Sequence, residues 1–244
     1  MNARSPASPL FEIALDTIDQ QLRARTEAPQ AHTSAAPCNG HEQLEDYAHM
    51  LQGQLQLRPS EVALSDLIEH SWQALAEPAQ AKGLRYTCHG LTQLPARVLA
   101  DTQRLQQIID NLLRNAIQFT GSGRVELHAH WQQDAPTAGV LYLYVVDTGA
   151  GMSSRTKDKL FNPFDHVLEQ LERQQRGQAG FSRHLGLVVT AGIVRAWGGQ
   201  IEVRSALGTG STFMVELPMA CVQSASGLCS SGRGTSPSAC KPPR

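Results

Sequence analysis

Residues 141–152 read LYLYVVDTGAGM. The opening run is apolar and rich in aromatic and β-branched types, the pattern of a buried strand. It ends on a carboxylate, Asp147, and passes into a turn containing Gly149 and Gly151. A carboxylate at a strand end can accept a hydrogen bond from the amino group of a purine. Glycines let backbone approach a ligand where a Cβ would clash. Alone, such a turn says little, because many strands end in Asp-Gly turns. Its meaning comes from the flanking segments.

Upstream, residues 102–119 predict a long helix. Leu105, Ile108, Ile109, Leu112, Leu113 and Ala116 make a broad apolar face. At about 100° per residue, Gln107, Asn111, Asn115 and Gln118 fall within roughly an 80° arc on another side. Asparagine is a poor helix former, so two of them one turn apart need a reason. One reading is a solvated face. The other is a row of side-chain oxygens aimed at a metal–phosphate group, since Mg²⁺ takes oxygen ligands and usually sits with nucleotide phosphates.

Around these two segments the pattern is mixed α/β from about residue 58. A helix from Ser65 to about Lys82 is stopped by Gly83, and strand-like pieces follow at 84–89, 97–100, 123–132 and 139–147. A polar region covers 152–184. A helix over 186–197 ends at Gly198-Gly199, before strands at 200–205 and 211–218. Before residue 58, two amphipathic helices at 10–25 and 42–57 flank a breaker-rich linker at 26–40, and together suggest a helical hairpin. The last stretch, 219–244, is rich in Ser, Gly and Pro and reads as disordered.

Composition narrows the class. The net charge of −1 carries no nucleic-acid or membrane-surface footprint. The apolar run Val140–Val146 is far too short to cross a bilayer, and the N-terminus lacks the apolar core of a signal peptide, so a cytoplasmic protein is expected. The cysteines show neither metal spacing nor a disulfide framework, and Cys88 reads as a buried, inert thiol.

Together these pieces resemble a family. RLQQIIDNLLRNAIQFT looks like the N box of sensor histidine kinases, and DTGAGM like their G1 box. FNPFDH (161–166) resembles their F box, HLGLVVTAGIV (184–194) a reduced G2 box, and GTGSTF (208–213) the Gly-Thr turn before their last strand. The resemblance covers about residues 58–218. It implies the ATP-binding fold shared with gyrase, Hsp90 and MutL (the GHKL ATPases). That fold is a two-layer α/β sandwich of Bergerat type, a mixed, mostly antiparallel sheet covered by helices, here preceded by the helical hairpin. The domains expected are a dimerisation-like segment at 1–57, the ATP-binding domain at 58–218 and the tail.

By the same resemblance, Asp147 would hold the adenine amino group, with Gly149 and Gly151 shaping its pocket. Asn115 would coordinate Mg²⁺ and Asn111 would lie near the phosphates. Residues 152–184 would be a lid over ATP, pinned by Phe161 and Phe164, whose plainer role is core packing. Gly186, between Leu185 and Leu187, would open a helix whose N–H groups face phosphate. Thr212 would assist at the adenine side. Related ATPases carry a Glu where this chain has Asn111, and an amide cannot act as a base. That favours phosphotransfer to histidine over hydrolysis.

Three departures from the family pattern stand out. Ser182-Arg183-His184 replaces a glycine-rich run, with Arg183 able to offer charge to phosphate instead. Gln118 stands where many members have a phosphate-reaching Lys. No phosphoacceptor motif is recognisable: His41-Glu42 lacks the following Pro and lies on the second helix. Two functions follow from the resemblance. One is a two-component histidine kinase that binds Mg-ATP and passes the γ-phosphoryl to a histidine in cis or on a partner. It would dimerise through its N-terminal helices and serve a response regulator or phosphotransfer protein. The alternative is a degenerate relative acting as a regulator or docking module.

Overall fold

The computed structural model describes residues 39–162 and 185–222, with side chains from residue 45 onward in the first helix. The predicted helix at 10–25, the linker up to residue 38, Phe164, Arg183 and the 219–244 tail beyond Val222 lie outside the described residues. So does the side chain of His41, which sits within α1 (Asn39–Leu51).

The described chain then runs β1 (Ser60–Val62), α2 (Leu64–Ala74), α3 (Ala76–Ala81), β2 (Arg85–His89), a 3-10 turn and β3 (Val98–Ala100). It continues α4 (Thr102–Phe119), β4 (Arg124–Ala135), β5 (Ala138–Asp147), α5 (Ser154–Lys159), α6 (Leu185–Ala196), β6 (Gln200–Ala206) and β7 (Gly210–Cys221). The strands form one sheet in the order β1-β3-β7-β5-β4-β2, with β6 also paired to β7. The β2–β4 pair is parallel, and the remaining pairs are antiparallel. This is the expected mixed, mostly antiparallel sheet.

Strict alternation along β5 decides which face is covered. Leu141, Leu143 and Val145 are fully buried, and they meet Leu127 of β4, Val215 of β7 and the apolar side of α4 in one core. The opposite face carries Tyr142, Tyr144 and His128 half-exposed. His128 stacks on His89 and lies 3.3 Å from Glu126, so it is less solvated than its outward parity suggests.

Most element limits fall within a few residues of those predicted, and α4 matches end to end. Its N-cap is Asp101, which accepts from the Arg104 N–H at 3.1 Å. The single helix expected from Ser65 to Lys82 is two. Leu64 opens α2, with Ala63 rather than Ser65 at the cap, and the chain breaks at Leu75. Pro78 supplies the reason. It has no N–H to give Ala74 and its ring crowds that carbonyl, yet it suits the first turn of a new helix. The second amphipathic helix ends at Leu51, short of the residue 57 expected. β1 and α5 were not anticipated from sequence, being three and six residues long.

Candidate nucleotide site

Asp147, a residue 5% exposed, closes β5. Its Oδ1 accepts the Gly149 N–H at 2.8 Å and the Ser211 N–H at 3.2 Å. Burial pushes the carboxyl above its ordinary range, and the hydrogen bonds from Gly149 and Ser211 oppose that rise. The Ser211 side chain adds a further hydrogen bond to the carboxylate, whose two oxygens have lone pairs enough to accept from a ligand as well.

The turn that follows is locked from several sides. Gly149 packs where an added Cβ would stand 2.4 Å from the Phe119 carbonyl oxygen. Gly151 has φ +65° and would place a Cβ 1.9 Å from the Ala206 carbonyl oxygen, so both conformation and space demand glycine. Ala150 donates its N–H to the Phe119 carbonyl, and its own carbonyl accepts the Gly208 N–H at 2.8 Å. The Met152 N–H reaches Ser205 Oγ at 2.8 Å. The Asp-Gly turn is thereby tied to the end of α4 and to the β6–β7 hairpin.

A cavity of about 260 Å³ opens above this turn. Asp147, Ser211 and Asn115 supply its polar wall. Met152, Leu160, Leu187 and Phe213 supply an apolar one, and Phe119 and Leu207, 44% and 69% exposed, stand at the mouth. Ser153 and Thr156 line it from α5, which Ser153 caps by accepting from the Thr156 N–H. A largely apolar cavity of this size with a buried carboxylate in its lining suits a heteroaromatic ring.

The polar stripe of α4 divides among four surroundings. Gln107 donates to Asp46 on α1 at 2.6 Å. Asn111 donates to the Gly186 carbonyl at 3.1 Å and Thr190 Oγ1 at 3.2 Å, bracing α4 against α6. Asn115 lines the cavity, and its amide nitrogen is held by the Asn111 carbonyl at 2.8 Å, leaving its oxygen for the cavity. Gln118 is exposed and outside the lining. Neither the solvated-face reading nor the continuous oxygen row describes the whole stripe. A single-helix wheel cannot know that α1 covers Gln107 and α6 covers Asn111.

Of the residues expected at the site, Asn115, Asp147, Gly151 and Leu187 line the cavity. Asn111, Gly149 and Gly186 support it from behind, and Leu185 is buried outside the lining. Phe161 is half-buried against the core. Thr212 is a correction. Strand register sets Ser211 directly opposite Asp147, so Thr212 projects from the other face, opposite Val146. Ser211 takes the place assigned to Thr212, and counting parity back from the buried Phe213 would have found it. Leu160 and Leu207 carried no sequence signal, since one lies in a polar segment and the other in a turn.

The chain matches the family model described as Histidine kinase-, DNA gyrase B-, and HSP90-like ATPase over residues 100–220. It is 33% identical over 174 residues to the sensor protein GacS of Pseudomonas syringae pv. syringae, covering 71% of this chain and 19% of that protein. It is 32% identical over 168 residues to the signal transduction histidine-protein kinase BarA of Escherichia coli K12, covering 69% and 18%. The structure of full-length ShkA in complex with AMPPNP superposes with a TM-score of 0.59 at 26% identity, covering 75% of this chain and 36% of that one. The chain thus spans about a fifth of the length of the curated relatives it matches. On its sheet order, its Asp-Gly turn and these likenesses, the chain belongs, through residues 100–220, to the histidine kinase-, DNA gyrase B- and HSP90-like ATPases, on the sensor histidine kinase side of that family.

Proposed function

We propose that this domain binds Mg-ATP and passes the γ-phosphoryl group to a histidine within a two-component system. The observation that carries the reading is the buried Asp147 carboxylate, held by the Gly149 and Ser211 backbone N–H groups and lining a largely apolar-walled cavity. An exocyclic amino group is the donor that matches it, which favours adenine over a base presenting a carbonyl there.

Among the described residues no three His, Cys, Asp or Glu side chains converge on a metal position. The Asn115 oxygen is a hard ligand of the kind Mg²⁺ takes, with phosphate and water completing the shell. The ion would supply neutralisation of phosphate charge there. Asn111, buried and donating to Gly186 and Thr190, has no basic group with which to activate water. Attack by a neutral imidazole nitrogen on the γ-phosphorus, with ADP leaving, needs no such base. The chain's part is to hold and orient the nucleotide.

The acceptor would lie on a dimerising helical segment within 1–57, in this chain or a partner, or on another protein, with a response regulator or phosphotransfer protein downstream. The domain itself would run from 58 to 218. Among the described residues no helix is long and apolar enough to cross a membrane, and a cytoplasmic setting suits the proposed chemistry. A second reading, a nucleotide-binding regulator without kinase activity, is favoured by one observation: Gln118 is exposed and outside the cavity lining, where the family pattern has a phosphate-reaching Lys.

The test is calorimetric titration of the chain with AMPPNP and Mg²⁺. Saturable binding is expected. Asp147→Asn should weaken it by on the order of 1–3 kcal/mol, since a charged acceptor is lost. Asn115→Ala should leave metal-free binding and remove the gain that Mg²⁺ brings. Unchanged affinity in Asp147→Asn would overturn the adenine assignment. Incubation with γ-labelled ATP then separates the readings. Acid-labile label on the chain, or on an added protein that carries an acceptor histidine, marks the kinase, and bound nucleotide with label on neither marks the regulator.

A further inference from the structure

The end of α4 is held by a cation that the nucleotide reading does not use. The last intrahelical bond of α4 runs from the Thr120 N–H to the Ala116 carbonyl. The carbonyls of Ile117, Gln118, Phe119 and Thr120 then lack helical partners, as at any helix C-terminus. All four are satisfied. Phe119 accepts the Ala150 N–H at 3.3 Å. The other three accept from Lys82 Nζ, at 2.7 Å for Ile117, 3.1 Å for Gln118 and 3.5 Å for Thr120. An ammonium has three protons, and each has a carbonyl.

The backbone of Lys82 is itself set in place. Its N–H bonds the Ala79 carbonyl at the end of α3, Gly83 donates to Gln80 at 2.8 Å, and Arg85 enters β2 by donating to Gly123 at 2.9 Å. The side chain therefore crosses from a fixed turn to the negative end of the α4 dipole, where a cation is stabilised.

We propose that Lys82 is a positioning residue for the nucleotide cavity. The turn of α4 it gathers carries Phe119, and the preceding turn carries Asn115, both lining that cavity. Phe119 is also the acceptor that anchors Ala150 in the Asp147 turn. Lys82 thus sets the two walls of the cavity relative to each other without touching ligand. The inference rests on the nucleotide reading for its function, and on the α4 carbonyls for its geometry.

The experiment compares wild type, Lys82→Met and Lys82→Arg by amide hydrogen exchange and by titration with AMPPNP and Mg²⁺, well below their melting temperatures. In Lys82→Met the Ala150 amide should exchange about tenfold faster or more, while Leu143 in the sheet centre keeps its protection. Nucleotide affinity should fall about three- to tenfold, the range expected for losing a charge at a helix end. Lys82→Arg, which keeps the charge but not the three-way ammonium, should lie between the two and serves if the Met variant does not fold. Exchange at Ala150 unchanged from wild type overturns the proposal. So does a folded Lys82→Met with wild-type affinity. If wild type binds no nucleotide, the function proposed above fails, and the Ala150 exchange alone decides the role of Lys82.

Discussion

Asp147 meets two opposed demands. Burial favours its neutral form, while an amino-group ligand needs the carboxylate. Its carboxyl pKa is raised above the unfolded value, so the native state keeps this proton to higher pH than the unfolded chain does. The stability it contributes is present below the unfolded pKa and is lost as pH rises through the folded one. Ligand affinity runs the other way, falling on acidification and beginning to fall above the range of an ordinary aspartate. Titrations with AMPPNP across a pH series should show that slope in wild type, while Asp147→Asn binds weakly and without it. A wild-type affinity flat through the acid range would mean that the carboxylate is not the acceptor. The carboxylate itself was legible in the sequence, because a strand pattern ran straight into it. Its partner was misassigned by one residue, because Thr212 and Ser211 both look polar until register decides which faces Asp147.

At the scale of elements, the site is a junction of three ends: α4, the β5 turn and the β6–β7 hairpin. Each is tied to the next by backbone groups, from Phe119 to Ala150 and from Ala150 to Gly208. Gly151 is where those ties leave least room. Gly151→Ala would force an L side chain to φ +65° and press its Cβ on the Ala206 carbonyl. The backbone strain alone costs about 1–3 kcal/mol, and the contact adds to it. Urea unfolding should show that loss in midpoint with an unchanged slope, and AMPPNP binding should weaken more than stability alone explains. A variant with wild-type midpoint would show that the turn relaxes freely. The Asp-Gly turn and the Gly-Thr turn could be recognised from composition. That one holds the other could not, because the holding groups are backbone amides, which every residue has.

At the scale of the molecule, α1 is docked rather than trailing. Asp46, 4% exposed, pairs with Arg104 of α4 at 2.6 Å and accepts from Gln107, while Met50 packs against Gly192 of α6. α1 therefore touches both helices that flank the cavity. Asp46→Ala would leave Arg104 with Gln107 and, at 22% side-chain exposure, with water. The cost should accordingly fall below the about 3–5 kcal/mol of a fully buried broken pair. Hydrogen exchange should show α1 amides losing protection while β5 keeps its own. Equal loss in both would make α1 part of the domain core instead of a docked arm.

The sequence by itself determined the apolar run of β5, the length of α4, the Asp-x-Gly-x-Gly turn and the family they resemble. These are signals carried within one element, by periodicity and by residue types with few conformational alternatives. The tertiary structure alone decided which members of the α4 stripe reach the cavity, that Ser211 and not Thr212 stands beside Asp147, and that Lys82 closes the end of α4. Each depends on which surface a neighbouring element covers. A polar side chain facing solvent and one facing a partner helix read the same until that partner is in place.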